Sequence, residues 1–162
     1  IPYFAGEKRL NLEPIGSNLE ALLVQYPQLE KRELIIELGR FLVAEAGIYA
    51  SKITDKKTSR GHTYLMTNGG LHHHLSNSGN FGQVIRKNYP VAIGNKMNMT
   101  ADKEAVTAVG PLCTPLDTLA DKMQLTDPQI GDWLVVYQSG AYGPTASPQD
   151  FLGHPHVVEI VL

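Results

Sequence analysis

One cysteine, Cys113, is all the thiol chemistry this chain holds. A lone thiol excludes an internal disulfide framework and a cysteine-rich zinc site, and it is compatible with a reducing compartment, so a cytoplasmic setting is expected. Positive charge is also in short supply. Lysine and arginine total 14 against 16 acidic residues, for a net charge of -2. Without a broad positive field there is no reason to expect a nucleic-acid partner. No stretch approaches the roughly 20 apolar residues that span a bilayer, and the N-terminus lacks the charged-then-apolar layout of a secretory signal, so no membrane association is expected. Internal repeats, low-complexity tracts and long linkers are missing as well. At 162 residues the chain can bury one sizeable core with a second partial layer, while two complete domains would be crowded.

What is present falls into two styles. Leu19, Leu22, Leu23 and Tyr26 recur at helical spacing, which predicts a helix over 17–26. Ser17-Asn18-Leu19-Glu20 has the form of a capping box at its start, and Pro27 stops it. The apolar run Leu34-Ile35-Ile36 then suits a strand buried on both faces, and helix followed by buried strand is the step of an α/β fold. From about Phe41 onward, short β-prone runs alternate with Gly, Pro, Asn and Asp clusters. They cover 41–53, 62–67, 105–109, 132–138 and 156–162, and their spacing suggests an antiparallel barrel or sandwich. The change of style places a boundary near residues 41–46.

Four groups of residues could carry chemistry. Glu37-Leu38-Gly39-Arg40 follows the expected strand, where α/β folds present functional groups. A glycine admits an anion close to the backbone, an arginine can grip phosphate or carboxylate, and a carboxylate can hold a cationic ring nitrogen. An ordinary strand end with a surface ion pair would read the same way. Cys113 sits in the Gly/Pro-rich stretch 109–117, where a thiol could donate a proton; a buried, inert cysteine is the alternative. Tyr142, flanked by Gly140 and Gly143, could offer its hydroxyl to a phosphate or be a core aromatic at a bend. His72-His73-His74 invites a metal reading because alternate residues share a strand face, but no Asp, Glu or Cys stands close in sequence to complete a site, and no metal is expected. Gly69-Gly70 before the histidines and 76–80 after them mark a flexible, substrate-facing region.

In this order, three of these segments resemble the fold-type III pyridoxal-phosphate decarboxylases of the diaminopimelate/ornithine decarboxylase family. Glu37-Leu38-Gly39-Arg40-Phe41-Leu42-Val43 resembles that family's E-P-G-R-aromatic-x-V stretch. Gly110-Pro111-Leu112-Cys113-Thr114-Pro115-Leu116-Asp117 is similar to its G-P-x-C-x-x-x-D loop, and Gly140-Ala141-Tyr142 to its G-A-Y motif. Residues 68–74 and 80–86 further resemble the subgroup associated with exosortase systems and acyl-carrier-protein pathways. The likeness covers nearly the whole chain, including Asp150-Phe151-Leu152 and 155–162.

The resemblance implies a mainly β fold, an antiparallel Greek-key-type β-barrel over 44–162, preceded over 1–43 by the last helix and strand of a cofactor-binding α/β barrel. It implies pyridoxal 5'-phosphate as cofactor and a homodimer with shared active sites. Glu37 would pair with the pyridine nitrogen, and Gly39, Arg40 and Tyr142 would lie at the phosphate. Arg40 would also reach a substrate carboxylate, and Cys113 would return a proton to the substrate carbon in the partner subunit's site. Thr114 stands where members that bind a distal amine carry an acid, and the arginine for a second carboxylate is replaced near Phe81, with Arg86 close enough in sequence to serve. An amino acid without a free distal charge, such as an aminoacyl group on a carrier protein, is therefore the expected substrate. Leu38 replaces the family's proline, which removes only a backbone restriction. The Schiff-base lysine and glycine-rich phosphate loop belong to a preceding barrel, and none of Lys8, Lys31 and Lys52 stands in a matching context. The chain alone is expected neither to bind the cofactor tightly nor to decarboxylate. Two rival readings are a same-fold amino-acid racemase, which would carry a tyrosine in the cysteine loop's place, and a non-catalytic β-barrel binding module.

Overall fold

The computed structural model describes residues 1–2, 6–29, 31–81 and 83–162. Tyr3 and Phe4 of the opening segment and Gly82 lie outside the described residues. The elements that carry the fold are helix α1 (Glu13–Gln25), a short helix α2 (Gly39–Val43), and strands β1 (Tyr49–Ser59), β2 (His62–Thr67), β3 (Val91–Ile93), β4 (Lys103–Val109), β5 (Thr118–Thr126) and β6 (Trp133–Val136). The six strands form one sheet in the order β3-β6-β1-β2-β4-β5. Its two edge strands, β3 and β5, lie against each other, so the sheet curls into a nearly closed barrel.

All neighbouring pairs are antiparallel except β2 and β4, which run parallel with Thr63 opposite Val106 and Leu65 opposite Ala108. That one pair departs from the expected all-antiparallel pattern. Parallel neighbours need a long crossover, here residues 68–102, and this crossover carries the histidine run.

Strand β1 shows how sequence becomes barrel. Tyr49, Ser51 and Ile53 are buried while Lys52 and Thr54 face out, the period-2 pattern of a half-buried strand. Its first half pairs with β6 and its second half with β2, with a register shift between Ile53 and Asp55 where the strand turns from one neighbour to the other. Beyond the bulge the β1–β2 hairpin closes through Arg60 (φ 52°) and Gly61 (φ 78°), the two positive-φ residues that a tight primed turn demands. Ile53, Leu65, Tyr89, Val106, Leu119, Leu125, Leu134 and Val136 fill the barrel interior.

The N-terminal part differs from the sequence expectation in two places. Helix α1 starts four residues before Ser17, so the Ser17–Glu20 pair lies inside it and caps nothing. Pro14 sits in the first turn, where its missing N–H costs nothing, and the Asn11 side chain accepts the N–H of Glu13. Leu34, Ile35 and Ile36 form no strand and are 52%, 73% and 58% exposed. A strand buried on both faces needs neighbours to pair with, and none of the described strands pairs with these residues. Residues 156–162 likewise form no strand, although Val157 packs against the core. Strands β3 and β5 lie outside the β-prone runs of the sequence. Among the described residues, no helix is long and apolar enough to cross a membrane.

Candidate functional site

Gly39, Arg40 and Tyr142, far apart in sequence, meet at one corner of the barrel. Tyr142 follows β6 in a left-handed conformation (φ 55°) and remains 41% exposed. It is therefore not the core aromatic that its sequence context allowed. A Cβ on Gly39 would sit 3.3 Å from the Tyr142 hydroxyl, so the glycine leaves room for that group. The Arg40 guanidinium lies over the Tyr142 ring at 5.0 Å from its centroid, a cation–π distance, and the Phe81 ring flanks the same tyrosine at 5.3 Å.

Arg40 is anchored from behind. Its Nη1 donates to the hydroxyl of Tyr89, which is fully buried. That hydroxyl pairs with Ser76 Oγ at 3.0 Å, and Ser76 Oγ lies 3.4 Å from His74 Nδ1. The rings of Tyr49 and Tyr89 both stand edge-on to His74. Burial, helped by the nearby Arg40 charge, holds His74 down to about 4, so the ring is neutral at pH 7.

The crossover that supplies these groups is no flexible loop. His72, His73, His74, Ser76, Asn77 and Ser78 are all buried. His73 bridges the Tyr49 hydroxyl (3.0 Å) and the Pro155 carbonyl (2.7 Å), tying the C-terminal segment to β1. The His72 ring lies against that of His73, centroids 3.9 Å apart and planes tilted by 46°, and near His154. Burial, then the neighbouring His73 and His154, lowers its pKa to about 4. The histidines lie in a turn rather than a strand, and among the described residues no group of three or more candidate ligands could hold a metal.

Cys113 is exposed on the loop between β4 and β5, against the alternative of an inert core thiol. Its neighbours are held: Thr114 N donates to Leu112 O at 2.8 Å and Asp117 N to Thr114 O at 3.1 Å. The Thr114 hydroxyl accepts the N–H of Leu116 at 3.3 Å.

Glu37 and Arg86 take no part in the contacts between Gly39, Arg40 and Tyr142. Glu37 is exposed and forms no hydrogen bond or ion pair among the described residues. Arg86 donates to the carbonyls of Ser78 (3.0 Å) and Thr118 (2.8 Å), which staples the crossover to β5. An open cleft of about 460 Å³ between the β1–β2 hairpin and β4 is lined by residues that include Lys57, Arg60, His62, Tyr64 and Met66 and contains none of the expected site residues. Tyr89 and Tyr49 carry no signal in the sequence, and Asp117 stands there only as the last residue of the cysteine-loop motif, with no role of its own. An isolated tyrosine carries no local signal of being buried beside a site.

The nearly closed six-stranded barrel is the fold of a decarboxylase C-terminal sheet domain. Residues 24–140 match the family described as pyridoxal-dependent decarboxylase, C-terminal sheet domain, and the chain belongs to that family. An L-glutamyl-(BtrI acyl-carrier protein) decarboxylase of Niallia circulans is 36% identical over 168 residues, covering 99% of this chain and 38% of that protein. A diaminopimelate decarboxylase of Buchnera aphidicola is 32% identical over 142 residues, covering 82% of this chain and 33% of that protein. The chain thus spans well under half the length of these curated relatives. Among solved structures, diaminopimelate decarboxylase from M. jannaschii in complex with L-lysine superposes with a TM-score of 0.77 at 22% identity, covering 95% of this chain and 34% of the other. Lysine/ornithine decarboxylase from Vibrio vulnificus complexed with cadaverine gives 0.75 at 19%, covering 96% and 40%. At such identities these two likenesses speak for the fold alone.

Proposed function

We propose that this chain supplies part of the active site of a pyridoxal-phosphate-dependent amino-acid decarboxylase that works as a homodimer with shared sites. The observation that carries the reading is the convergence of Gly39, Arg40 and Tyr142 at one solvent-reachable corner. A cation, a phenol and an unobstructed backbone fit the phosphate end of the cofactor. When bound, the cofactor supplies a sink for the electron pair left as carbon dioxide departs.

The residues of this chain bind, orient and move a proton. Arg40 and Tyr142 donate to phosphate oxygens, Arg40 being kept in place by Tyr89. Glu37, exposed two residues before Gly39, accepts a hydrogen bond from the ring nitrogen and favours its charged form. Cys113, reaching from one subunit into the site of the next, gives a proton to the substrate carbon that has lost its carboxylate. Its exposure is what such a role needs.

For substrate, Thr114 offers a hydroxyl and no charge beside the thiol, which favours an amino acid whose distal end is neutral or is joined to a carrier protein. That the Niallia relative acts on a glutamyl carrier protein supports the same class. Arg40 is the arginine proposed for a substrate carboxylate. Arg86 has a lesser part, because it already donates to two main-chain carbonyls. A cytoplasmic setting accords with the unpaired thiol. The test is carbon dioxide release by the full-length protein that carries these residues, with free and carrier-linked glutamate, ornithine, lysine and diaminopimelate. Cys113→Ala should cut kcat by about a hundredfold with little change in KM; racemisation without carbon dioxide release would refute the proposal.

A further inference from the structure

We propose that Asp117 is the positioning residue of the cysteine loop, a buried carboxylate that sets the direction of the Cys113 thiol by holding the main chain on which it rides. The inference rests on the reading of Cys113 as proton donor given above.

Asp117 is 2% exposed, and each of its oxygens accepts a different main-chain N–H. Oδ1 takes that of Leu71 at 2.6 Å, and Oδ2 takes that of Leu112 at 2.9 Å. Leu112 immediately precedes Cys113, while Leu71 belongs to the turn that begins the histidine run. One side chain therefore pins the cysteine loop to the barrel's long crossover.

The seat for this carboxylate is built by absence. A Cβ on Gly70 or on Gly110 would overlap the Asp117 oxygens, so two glycines from different segments open the slot together. The loop also closes on itself, with Gly110 N donating to Asp117 O at 2.9 Å.

Asp117 forms no ion pair among the described residues, and burying a carboxylate without one is costly. Its two bonds to N–H groups offset that cost. Because Cys113 is exposed, its aim depends chiefly on the backbone either side. A proton donor displaced by about 1 Å can lose on the order of a hundredfold in rate. Asparagine at 117 would turn an amide N–H₂ toward one of the two N–H groups and undo half of the clamp.

The experiment uses the full-length protein with Asp117→Asn, Cys113→Ala and the double variant. Asp117→Asn should lower kcat at least about tenfold, with KM within about twofold. It should also change the rate at which iodoacetamide alkylates Cys113, followed by peptide mass mapping, by about threefold or more while thermal unfolding stays cooperative. The double variant should be no slower than Cys113→Ala. Losses that add in the double variant, or an unchanged alkylation rate, overturn the proposal. If Cys113→Ala leaves kcat intact, the proton-donor reading fails, while the alkylation rate still decides whether Asp117 aims the thiol. Should Asp117→Asn not fold, amide exchange on the unaltered protein decides. The Leu71 and Leu112 N–H groups should exchange at least about a hundredfold slower than an unstructured chain, and exchange near the unstructured rate overturns the proposal.

Discussion

Arg40 joins Tyr142 to Tyr89: its guanidinium carbon lies 5.0 Å from the centroid of the exposed ring, while Nη1 donates to the hydroxyl of the buried one. An arginine held at its back by a fully buried phenol loses less side-chain freedom when an anion arrives. In the full-length protein, Arg40→Ala should weaken pyridoxal phosphate binding by about ten- to a hundredfold, and Tyr142→Phe by several-fold. Titration of cofactor absorbance measures both. Affinity untouched by either change would remove the phosphate corner from the proposed site.

Tyr89→Phe deletes the hydroxyl shared by Arg40 and Ser76 while keeping the ring in the core. Leaving a buried donor or acceptor unpaired costs about 1–3 kcal/mol. A lower urea midpoint with an unchanged slope is expected, and an unshifted midpoint would mean that the Arg40 anchor adds no stability.

Acid should loosen the crossover before it affects the barrel. His72 and His74 have folded pKa values near 4 against about 6.5 unfolded, so between those values the unfolded chain binds protons that the native one refuses. Their contribution to stability is complete above pH 6.5 and is lost as pH falls toward 4, at about 1.4 kcal/mol per pH unit for each ring. Asp117 acts in the opposite sense, since burial raises its pKa although the Leu71 and Leu112 N–H groups hold it down in part. Urea midpoints at pH 7 and pH 5 should differ, with the protein weaker at pH 5. His72→Phe should reduce that difference by about half, His74 supplying the rest, without loss at pH 7, because neither ring nitrogen of His72 has a hydrogen-bond partner among the described residues. An equally steep profile in the variant would assign the acid sensitivity elsewhere.

Thr114→Asp puts a carboxylate beside the thiol. On the proposed substrate class it should raise kcat/KM for free ornithine or lysine relative to carrier-linked glutamate by about tenfold. No change in that ratio would detach Thr114 from substrate choice.

Leu134 is fully buried in the central part of the sheet, and Leu134→Ala should cost about 2–5 kcal/mol through the cavity left behind. Chemical denaturation tests this directly.

The barrel strands were legible wherever one face is dry and the other wet. His62–Thr67 coincides with β2, and the expected runs at 105–109 and 132–138 overlap β4 and β6. β3 is too short to show a period, and β5 carries the charged residues Asp121 and Lys122 within it. Leu34–Ile36 misled for the opposite reason: an apolar run marks a buried strand only where partners exist, and here its residues are exposed. The histidines looked like a loose polar loop because composition cannot reveal that Tyr49, Tyr89 and Ser76 lie close enough to enclose them.

Order along the chain determined the family: three motifs, each with its own chemistry, are covalent facts that no folding can rearrange. Only the tertiary structure decided which of their members meet. It set Arg40 against Tyr142 and Tyr89, turned Arg86 toward main-chain carbonyls, and seated Asp117 between two glycines. Those contacts join residues tens of positions apart, and the barrel's closure rather than any local preference brings such residues within reach of a hydrogen bond.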